Sequence, residues 1–163
     1  MRIPLNGLTQ GLRTCHHRGP ASQYLDDHAA FAGEISVRAE LRREAGMLHL
    51  ELWVELPGHF ICDRCAQSFD RQHQGHDDFF FSFAGSPAEE KDPDVPTIPK
   101  GAAEIDVSQE IRDLVILSLP FQLICSPDCK GLCPNCGANL NIEECRCEEG
   151  PVDPRWEALR KLK

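Results

Sequence analysis

Apolar and polar residues alternate along two neighbouring stretches of the chain, residues 34–42 and 48–56. An alternation with period two is typical of β-strands that bury one face. The segment Glu44-Ala45-Gly46 separates the two stretches and supplies a glycine for a turn. The pattern predicts a β-hairpin, and weaker alternation predicts further strands over 68–72 and 77–83. The apolar positions of the hairpin are Ile35, Val37, Ala39, Leu41, Leu48, Leu50, Leu52, Val54 and Leu56.

Helical periodicity replaces this alternation from residue 106 onward. Asp106 is the predicted N-cap, with Gln109 at the reciprocal capping position. Pro120 limits the helix at its C-terminal end. One packed helix beside an antiparallel β-sheet predicts an α+β fold. The apolar stripe of the helix comprises Val107, Ile111, Leu114, Val115 and Ser118.

The remaining segments of the main domain carry weaker signals. Near the N-terminus, Ile3 and Leu5 favour a short edge strand, and the stretch from Tyr24 to Phe31 favours a helical turn. Residues 84–103 are rich in proline and acidic residues, which predicts a mobile loop. We therefore expect a β-rich domain with a packed helix over residues 1–124.

A second, smaller domain is predicted over residues 125–163. From Cys125 to Cys147 the chain is rich in cysteine, glycine, proline and asparagine and has too few large apolar residues for a core. Metal is therefore expected to hold this segment together. Asp153-Pro154 predicts the start of a short C-terminal helix with Trp156, Leu159 and Leu162 on its apolar side. The expected architecture is a C-terminal zinc ribbon with four-cysteine coordination, followed by that helix.

Eight of the nine cysteines occur as four closely spaced pairs. Two sets of four thiolates fit the tetrahedral coordination of structural Zn²⁺. The segment Cys133-Pro134-Asn135-Cys136-Gly137 is typical of a zinc-knuckle turn. The spacing favours a site 1 formed by Cys62, Cys65, Cys125 and Cys129, and a site 2 formed by Cys133, Cys136, Cys145 and Cys147. The main alternative unites Cys125, Cys129, Cys133 and Cys136 and leaves the two outer pairs to meet.

Closed metal shells bear directly on function. A zinc hydrolase or deaminase needs an open coordination position, and four sulfurs leave none, so we expect no enzyme. Cys62-Asp63-Arg64-Cys65 also has the spacing of a redox dithiol, but that motif normally opens a helix of a βαβ unit. The segment Cys15-His16-His17 and the pair of His73 and His76 are further metal candidates, although such residues more often lie at a solvated surface.

The 163 residues carry a formal net charge of −9, and 41% of them are hydrophobic, which is adequate for a core. Met1 to Gly7 form no apolar signal segment. The longest apolar cluster, Leu114 to Leu119, is far too short for a membrane span. We therefore expect a cytoplasmic protein with reduced thiols and with neither a membrane nor a small-molecule substrate as partner.

Basic residues matter because the chain as a whole is acidic. A net negative protein has no overall attraction for nucleic acid, so any RNA contact requires a local basic patch or a basic partner protein. The alternative is ordinary surface basicity that balances neighbouring glutamates. The candidate RNA contacts lie beside the cysteine clusters and on the predicted last helix: Lys130, Arg146, Arg155, Trp156, Arg160 and Lys161.

Taken together, several of these motifs resemble the YceD family, the large ribosomal RNA subunit accumulation proteins of bacteria and plastids. The resemblance implies a non-catalytic role in 23S ribosomal RNA accumulation during large-subunit assembly, with precursor 23S ribosomal RNA or a large-subunit ribosomal protein as partner. A zinc-ribbon adaptor that docks proteins without touching RNA, and a thiol redox enzyme, are the alternatives. The matching segments are Val54-Glu55-Leu56-Pro57, Cys62-Asp63-Arg64-Cys65, Glu104-Ile105-Asp106, Leu119-Pro120, residues 129–141, Cys145-Arg146-Cys147 and Asp153-Pro154-Arg155-Trp156.

Overall fold

The computed structural model describes residues 1–8, 11–25, 30–44, 46–87, 94–147 and 155. The chain forms two compact units. Unit 1 comprises Met1–Phe60 and Phe69–Phe121, and unit 2 comprises Ile61–Ser68 and Gln122–Lys163. This division differs from a boundary at residue 124, because the short segment 61–68 clusters with the C-terminal part of the chain.

A five-stranded sheet forms most of unit 1, and its strands follow the order β2-β3-β4-β5-β6. The predicted hairpin is confirmed: β3 and β4 pair antiparallel, from Ser36 opposite Glu55 to Glu44 opposite Met47. All nine predicted apolar positions are at most 2% exposed, which makes this face the core of the unit. The strands are β1 (Arg2–Pro4), β2 (Leu12–Pro20), β3 (Glu34–Glu44), β4 (Met47–Ile61), β5 (Ser68–Phe83), β6 (Thr97–Ile98) and β7 (Glu104–Asp106).

Three strands differ from the pattern-based expectation. β2 pairs antiparallel with β3 along nine residue pairs, yet its sequence has no apolar alternation, because an edge strand is held by backbone hydrogen bonds rather than by a buried face. β5 runs unbroken over the interval between the two predicted strands. Within the predicted loop 84–103, Thr97–Ile98 forms β6, which pairs parallel with the end of β5, and Ile98 is 4% exposed.

Helix α1 spans Ser108–Leu117 and buries the predicted stripe, with Ser118 half-buried at its end. The predicted capping is wrong in detail. Val107 occupies the N-cap position, and Asp106 Oδ1 accepts the backbone N–H of Ser108 at 3.1 Å from one residue further out. The side chain of Gln109 donates to Asp113 at 2.9 Å instead of reaching back to the cap.

The N-terminal residues close unit 1 beside the helix. β1 pairs antiparallel with β7, which confirms the short strand at Ile3, and the N–H of Val107 donates to the Met1 carbonyl at 2.9 Å. A turn of 3-10 helix covers Ala21–Gln23.

Four predicted elements reach beyond the described residues. Residues 26–29 of the helical turn from Tyr24 to Phe31, residue 45 of the hairpin turn and residues 88–93 of the loop 84–103 lie outside the described ranges. Of the predicted helix 153–163, only residue 155 is described. In the part of the chain that is described, no helix has the length and apolar character needed to cross a bilayer.

Candidate metal centre

The first cysteine pair sits in a tight turn, the first knuckle (residues 62–67), between β4 and β5. The N–H of Cys62 donates to the Gln67 carbonyl at 2.8 Å, and the N–H of Ala66 donates to the Cys62 carbonyl at 2.8 Å. Ala66 has φ 56°, and it is the one non-glycine residue with positive φ among the described residues. This strained position bends the chain so that the side chains of Cys62 and Cys65 can meet.

A second knuckle (residues 133–138) has the same two backbone hydrogen bonds at equivalent positions. The N–H of Cys133 donates to the Ala138 carbonyl at 2.8 Å, and the N–H of Gly137 donates to the Cys133 carbonyl at 2.9 Å. Gly137 has φ 74° and stands where Ala66 stands in the first knuckle. Glycine adopts this left-handed conformation without the steric cost that alanine pays. The two cysteine pairs therefore occupy equivalent turns.

Site 1 is completed by Cys125 and Cys129, which hydrogen bonds hold against the first knuckle. The N–H of Asp63 donates to the Leu123 carbonyl at 2.8 Å, and the Asp63 carboxylate accepts the N–H of Leu123 at 2.6 Å. Arg64 donates to the Cys129 carbonyl at 3.3 Å. These contacts bring the Cys65 and Cys125 sulfurs to 3.7 Å and the Cys62 and Cys129 sulfurs to 3.9 Å.

Site 2 is formed by the second knuckle and the returning segment Cys145-Arg146-Cys147. The Cys133 sulfur lies 3.3 Å from that of Cys145 and 3.9 Å from that of Cys147. The Cys136 and Cys145 sulfurs lie 3.9 Å apart. The eight sulfurs thus fall into the two groups that the spacing favours, and within each group all four lie within 4.8 Å of one another.

The donor sets fit a tetrahedral thiolate-binding ion. Zn–S bonds of about 2.3 Å at tetrahedral angles place sulfurs about 3.8 Å apart. The sulfur separations given above for the two groups, 3.3 to 3.9 Å, lie near that value and are far longer than a disulfide bond of about 2.05 Å. All nine cysteines are free thiols. Each group can therefore hold one metal ion without large rearrangement.

The electrostatics of both groups favour a cation. Burial raises the pKa of Cys62, but the backbone N–H groups of Cys125, Cys65 and Arg64 outweigh it and lower that pKa to about 6. In the second knuckle, backbone N–H groups likewise lower the pKa of Cys133 to about 6. One thiolate then makes further ionisation unfavourable, so a divalent cation is needed to compensate four negative sulfurs at one point.

One other thiol in each group, Cys125 in site 1 and Cys147 in site 2, has a raised pKa. Burial, followed by the hydrogen bond with Cys62, raises the pKa of Cys125 to about 12. The hydrogen bond with Cys136 raises the pKa of Cys147 to about 12. Without metal, Cys125 in site 1 and Cys147 in site 2 therefore keep their protons, and binding of Zn²⁺ would release them.

The two sites differ in exposure. In site 1, Cys62, Cys65 and Cys129 are buried and Cys125 is exposed. In site 2 only Cys133 is buried, and Cys136 and Cys145 are exposed. Every buried apolar residue in the described part of unit 2 is a cysteine, whereas Ile61 and Ile142 are 65% and 69% exposed. Unit 2 therefore lacks an aliphatic core there, and the sulfurs occupy its centre.

The other chemical candidates do not form comparable sites. No third cluster of potential metal ligands occurs among the described residues, and Cys15 with His16 and His17 lies on edge strand β2. His73 is 5% exposed and contacts the Val115 carbonyl at 3.1 Å and the Ser118 hydroxyl at 2.9 Å, as a core residue would. His76 stacks on Trp53, with ring centroids 4.8 Å apart. The Cys62–Cys65 motif occupies a turn between strands, so it does not open a helix as a redox dithiol normally does.

The candidate RNA-contacting residues are only partly described. Lys130 and Arg146 are exposed residues of unit 2, directly after Cys129 and between Cys145 and Cys147. Arg155 is also exposed. Trp156, Arg160 and Lys161 lie outside the described residues.

Sequence reasoning missed the residues that support the cysteines. Asp63, Arg64 and Asn141 each make a contact that positions a ligand segment. Gly131, with φ 77°, packs its backbone against Arg64. The glycine was a visible signal for a special backbone position, but the partners of the polar side chains depend on tertiary contacts that spacing does not encode.

Comparisons with known proteins match a segment of the chain that includes both cysteine groups to one family. The model of a protein family described as "Large ribosomal RNA subunit accumulation protein YceD" matches residues 50–163. The chain is 43% identical over 65 residues to "Large ribosomal RNA subunit accumulation protein YCED homolog 1, chloroplastic" of Arabidopsis thaliana, which is 40% of this chain and 20% of the relative. Its counterpart of the same name in Zea mays is 47% identical over 51 residues, which is 31% of this chain and 17% of that relative.

A bacterial relative extends the comparison. An uncharacterized protein of Mycobacterium tuberculosis is 48% identical over 58 residues, which is 36% of this chain and 28% of that protein. The matched segments thus span less than a third of the length of each of these relatives. No solved structure matches the chain.

Proposed function

Because the chain belongs to the family of large ribosomal RNA subunit accumulation proteins, YceD, we propose that it is a non-catalytic ribosome-biogenesis factor that supports 23S ribosomal RNA accumulation. The observation that carries the proposal is a family match that covers both cysteine groups and most of the chain. The plant relatives bear the same description in their names. Large-subunit assembly is the process in which that accumulation would take place.

The chemical part of the proposal is that two Zn²⁺ ions act as structural elements. Site 1 would hold one ion through Cys62, Cys65, Cys125 and Cys129, and site 2 the other through Cys133, Cys136, Cys145 and Cys147. Zinc in such sites supplies folding free energy, which unit 2 needs because the buried apolar residues of its described part are cysteines. Four protein sulfurs fill a tetrahedral shell, so neither ion would have a position for substrate.

Metal removal tests this part directly. Elemental analysis of the purified protein should find two zinc ions per chain. Chelation should then accelerate hydrogen exchange of the backbone amides of unit 2, while the leucine-filled sheet of unit 1 keeps its protection. Protein that is folded throughout both units after exhaustive chelation would contradict a structural role for the metal.

Basic side chains beside the cysteine groups support unit 2 as the part that contacts the partner. Unit 1 contains eighteen Asp and Glu residues against ten Lys and Arg, whereas unit 2 contains eight against seven. By side chains alone, unit 1 therefore has a net charge of −8 and unit 2 of −1. Two zinc centres of about −2 each would bring unit 2 to about −5, so RNA contact there would depend on local basic residues rather than on net charge. The proposed contacts are Lys130, Arg146 and Arg155, together with Trp156, Arg160 and Lys161. Precursor 23S ribosomal RNA is the proposed ligand.

Cellular depletion tests the biological role. Cells that lack the protein should accumulate less 23S than 16S ribosomal RNA and fewer large subunits in ribosome profiles. Ultraviolet crosslinking followed by RNA sequencing should recover 23S sequences from the tagged protein. Normal large-subunit levels after complete depletion would overturn the proposal.

A second candidate, a zinc-ribbon adaptor that binds a large-subunit ribosomal protein without RNA contact, is favoured by one observation. The chain's net charge of −9 suits a basic protein partner better than RNA. Replacing Lys130 and Arg146 with glutamate separates the two candidates, because the change weakens RNA binding but leaves unchanged or strengthens binding to a basic protein. Lys100→Glu, at an exposed site in unit 1, adds the same charge as Lys130→Glu or Arg146→Glu alone and is the control for each single variant.

A further inference from the structure

Three residues, Lys130, Gly131 and Leu132, connect the last ligand of site 1 to the first ligand of site 2. On one side, the N–H of Leu132 donates to the Arg64 carbonyl in the first knuckle at 2.9 Å. A Cβ on Gly131 would lie 3.1 Å from the same carbonyl oxygen. The connecting segment is therefore pressed against the site 1 turn.

On its other side, the same segment is bound by the loop between Cys136 and Cys145, which belongs to site 2. The N–H of Leu140 donates to the Gly131 carbonyl at 3.0 Å. Leu132 also forms an isolated antiparallel bridge with Asn139. Site 2 brings together Cys136 and Cys145 at the two ends of this loop, with their sulfurs 3.9 Å apart.

The side chain of Asn141 links the site 2 loop to a candidate metal-binding sulfur of site 1. It lies in the site 2 loop, yet its Nδ2 donates to Cys129 Sγ of site 1 at 3.4 Å. Its Oδ1 accepts the N–H of Lys130 at 2.8 Å, so the amide group is fixed in orientation. A second hydrogen bond, from Nδ2 to Asn139 Oδ1 at 2.9 Å, holds the side chain against its own loop.

We propose that the two metal sites bind zinc cooperatively, with Asn141 as the positioning residue through which the site 2 loop stabilises the Cys129 thiolate of site 1. A donor to a metal-bound thiolate stabilises the charged form of that ligand. Filling site 2 orders the loop and presents that donor, and by thermodynamic linkage filling site 1 favours site 2 equally. This inference rests on the proposed metal occupancy of both sites.

The test uses the full chain loaded with ¹¹³Cd²⁺, whose two resonances report the two sites separately. Cys136→Ser removes a site 2 ligand, and the resonance that survives is assigned to site 1. Removing a supporting contact of this kind typically costs about tenfold to a hundredfold in metal affinity. We expect Asn141→Ala to weaken Cd²⁺ binding at site 1 by about tenfold and to move the site 1 resonance.

Two further variants separate positioning from general destabilisation. Asn141→Asp keeps the size of the side chain and an oxygen for Lys130, but it replaces the donor beside Cys129 with a second acceptor, so it should weaken site 1 more than alanine does. Asn135→Ala, an exposed non-ligand in the second knuckle, is the matched control and should leave site 1 unchanged.

A double-mutant cycle decides the mechanism. Cys136→Ser alone should weaken site 1 by about tenfold, and adding Asn141→Ala to it should cost little more, because the loop no longer presents the donor. Additive losses, or an Asn141→Ala chain with an unmoved site 1 resonance and wild-type affinity, would overturn the coupling. A wild-type chain that binds fewer than two ions would instead contradict the proposed metal function itself.

Discussion

Replacing Gly131 with alanine measures how tightly the segment between the two sites is packed. Gly131 has φ 77°, and alanine in this left-handed region costs about 1–2 kcal/mol. The new Cβ would also lie 3.1 Å from the Arg64 carbonyl oxygen, which accepts the N–H of Leu132. Displacing that oxygen weakens a hydrogen bond with a net value of about 1 kcal/mol. The expected total is about 2–3 kcal/mol.

Gly137 provides the control, because it has φ 74° but a methyl group added there would meet no atom within 4 Å. Gly137→Ala should therefore cost only the conformational part, about 1–2 kcal/mol. The difference of about 1 kcal/mol corresponds to about fivefold in metal affinity. Competition with a chromogenic chelator measures the metal affinity of each variant as the free zinc concentration at which half of the bound metal is lost. Equal losses of metal affinity in Gly131→Ala and Gly137→Ala would refute the predicted crowding between Gly131 and Arg64.

Three more predictions concern single residues. Cys136→Ser should retain one zinc ion at saturating metal, measured by elemental analysis, and loss of both ions would contradict the grouping of the sulfurs. Ala66→Gly removes left-handed strain of about 1 kcal/mol from the first knuckle and should raise zinc affinity at site 1 by up to about fivefold in chelator competition; an unchanged affinity would mean that the turn is unstrained. Burial lowers the pKa of His73 below its ordinary 6.5, so the unfolded chain binds the proton more readily and the free energy of unfolding should fall as the pH drops through 6.5. Urea denaturation at several pH values should show a shallower decline in His73→Gln, and identical slopes would exclude His73 as the source.

The parts of the fold that the sequence could predict are those in which each residue has one dominant environment. The alternation from Leu48 to Leu56 specifies which side of β4 is buried, because a strand has only two faces. The same reasoning cannot find β2, since its residues alternate between half-buried and exposed positions at a sheet edge. Helix α1 was visible from its stripe, but its first turn is held by Asp106 Oδ1, which accepts both the N–H and the hydroxyl of Ser108 from outside the N-cap position.

The grouping of the sulfurs was accessible for a different reason. A tetrahedral ion needs four ligands at one point. Four cysteine pairs can be grouped into two such sites in only a few ways, and the chain length between the pairs favours one of them. What spacing could not provide was the equivalence of the two knuckles, because one has alanine and the other glycine at the left-handed position. The contact between Asn141 and Cys129 was equally inaccessible, since it joins residues of different sites.

If the proposed function holds, the folding and the negative charge that zinc centres would bring to unit 2 act in opposite directions on RNA binding, and this makes the role of the metal measurable. Unit 2 has a formal charge of −1 when its thiols are neutral, from seven basic and eight acidic residues. Two zinc centres with four thiolates each carry about −2 and would bring it to about −5. Electrostatics alone therefore predicts that metal loading weakens RNA binding. If zinc instead serves to fold the surface that carries Lys130 and Arg146, loading should strengthen it. Titrating a labelled 23S fragment with the metal-loaded and the chelated protein at one salt concentration distinguishes these signs, and tighter binding by the chelated form would refute a folding role for zinc in RNA recognition.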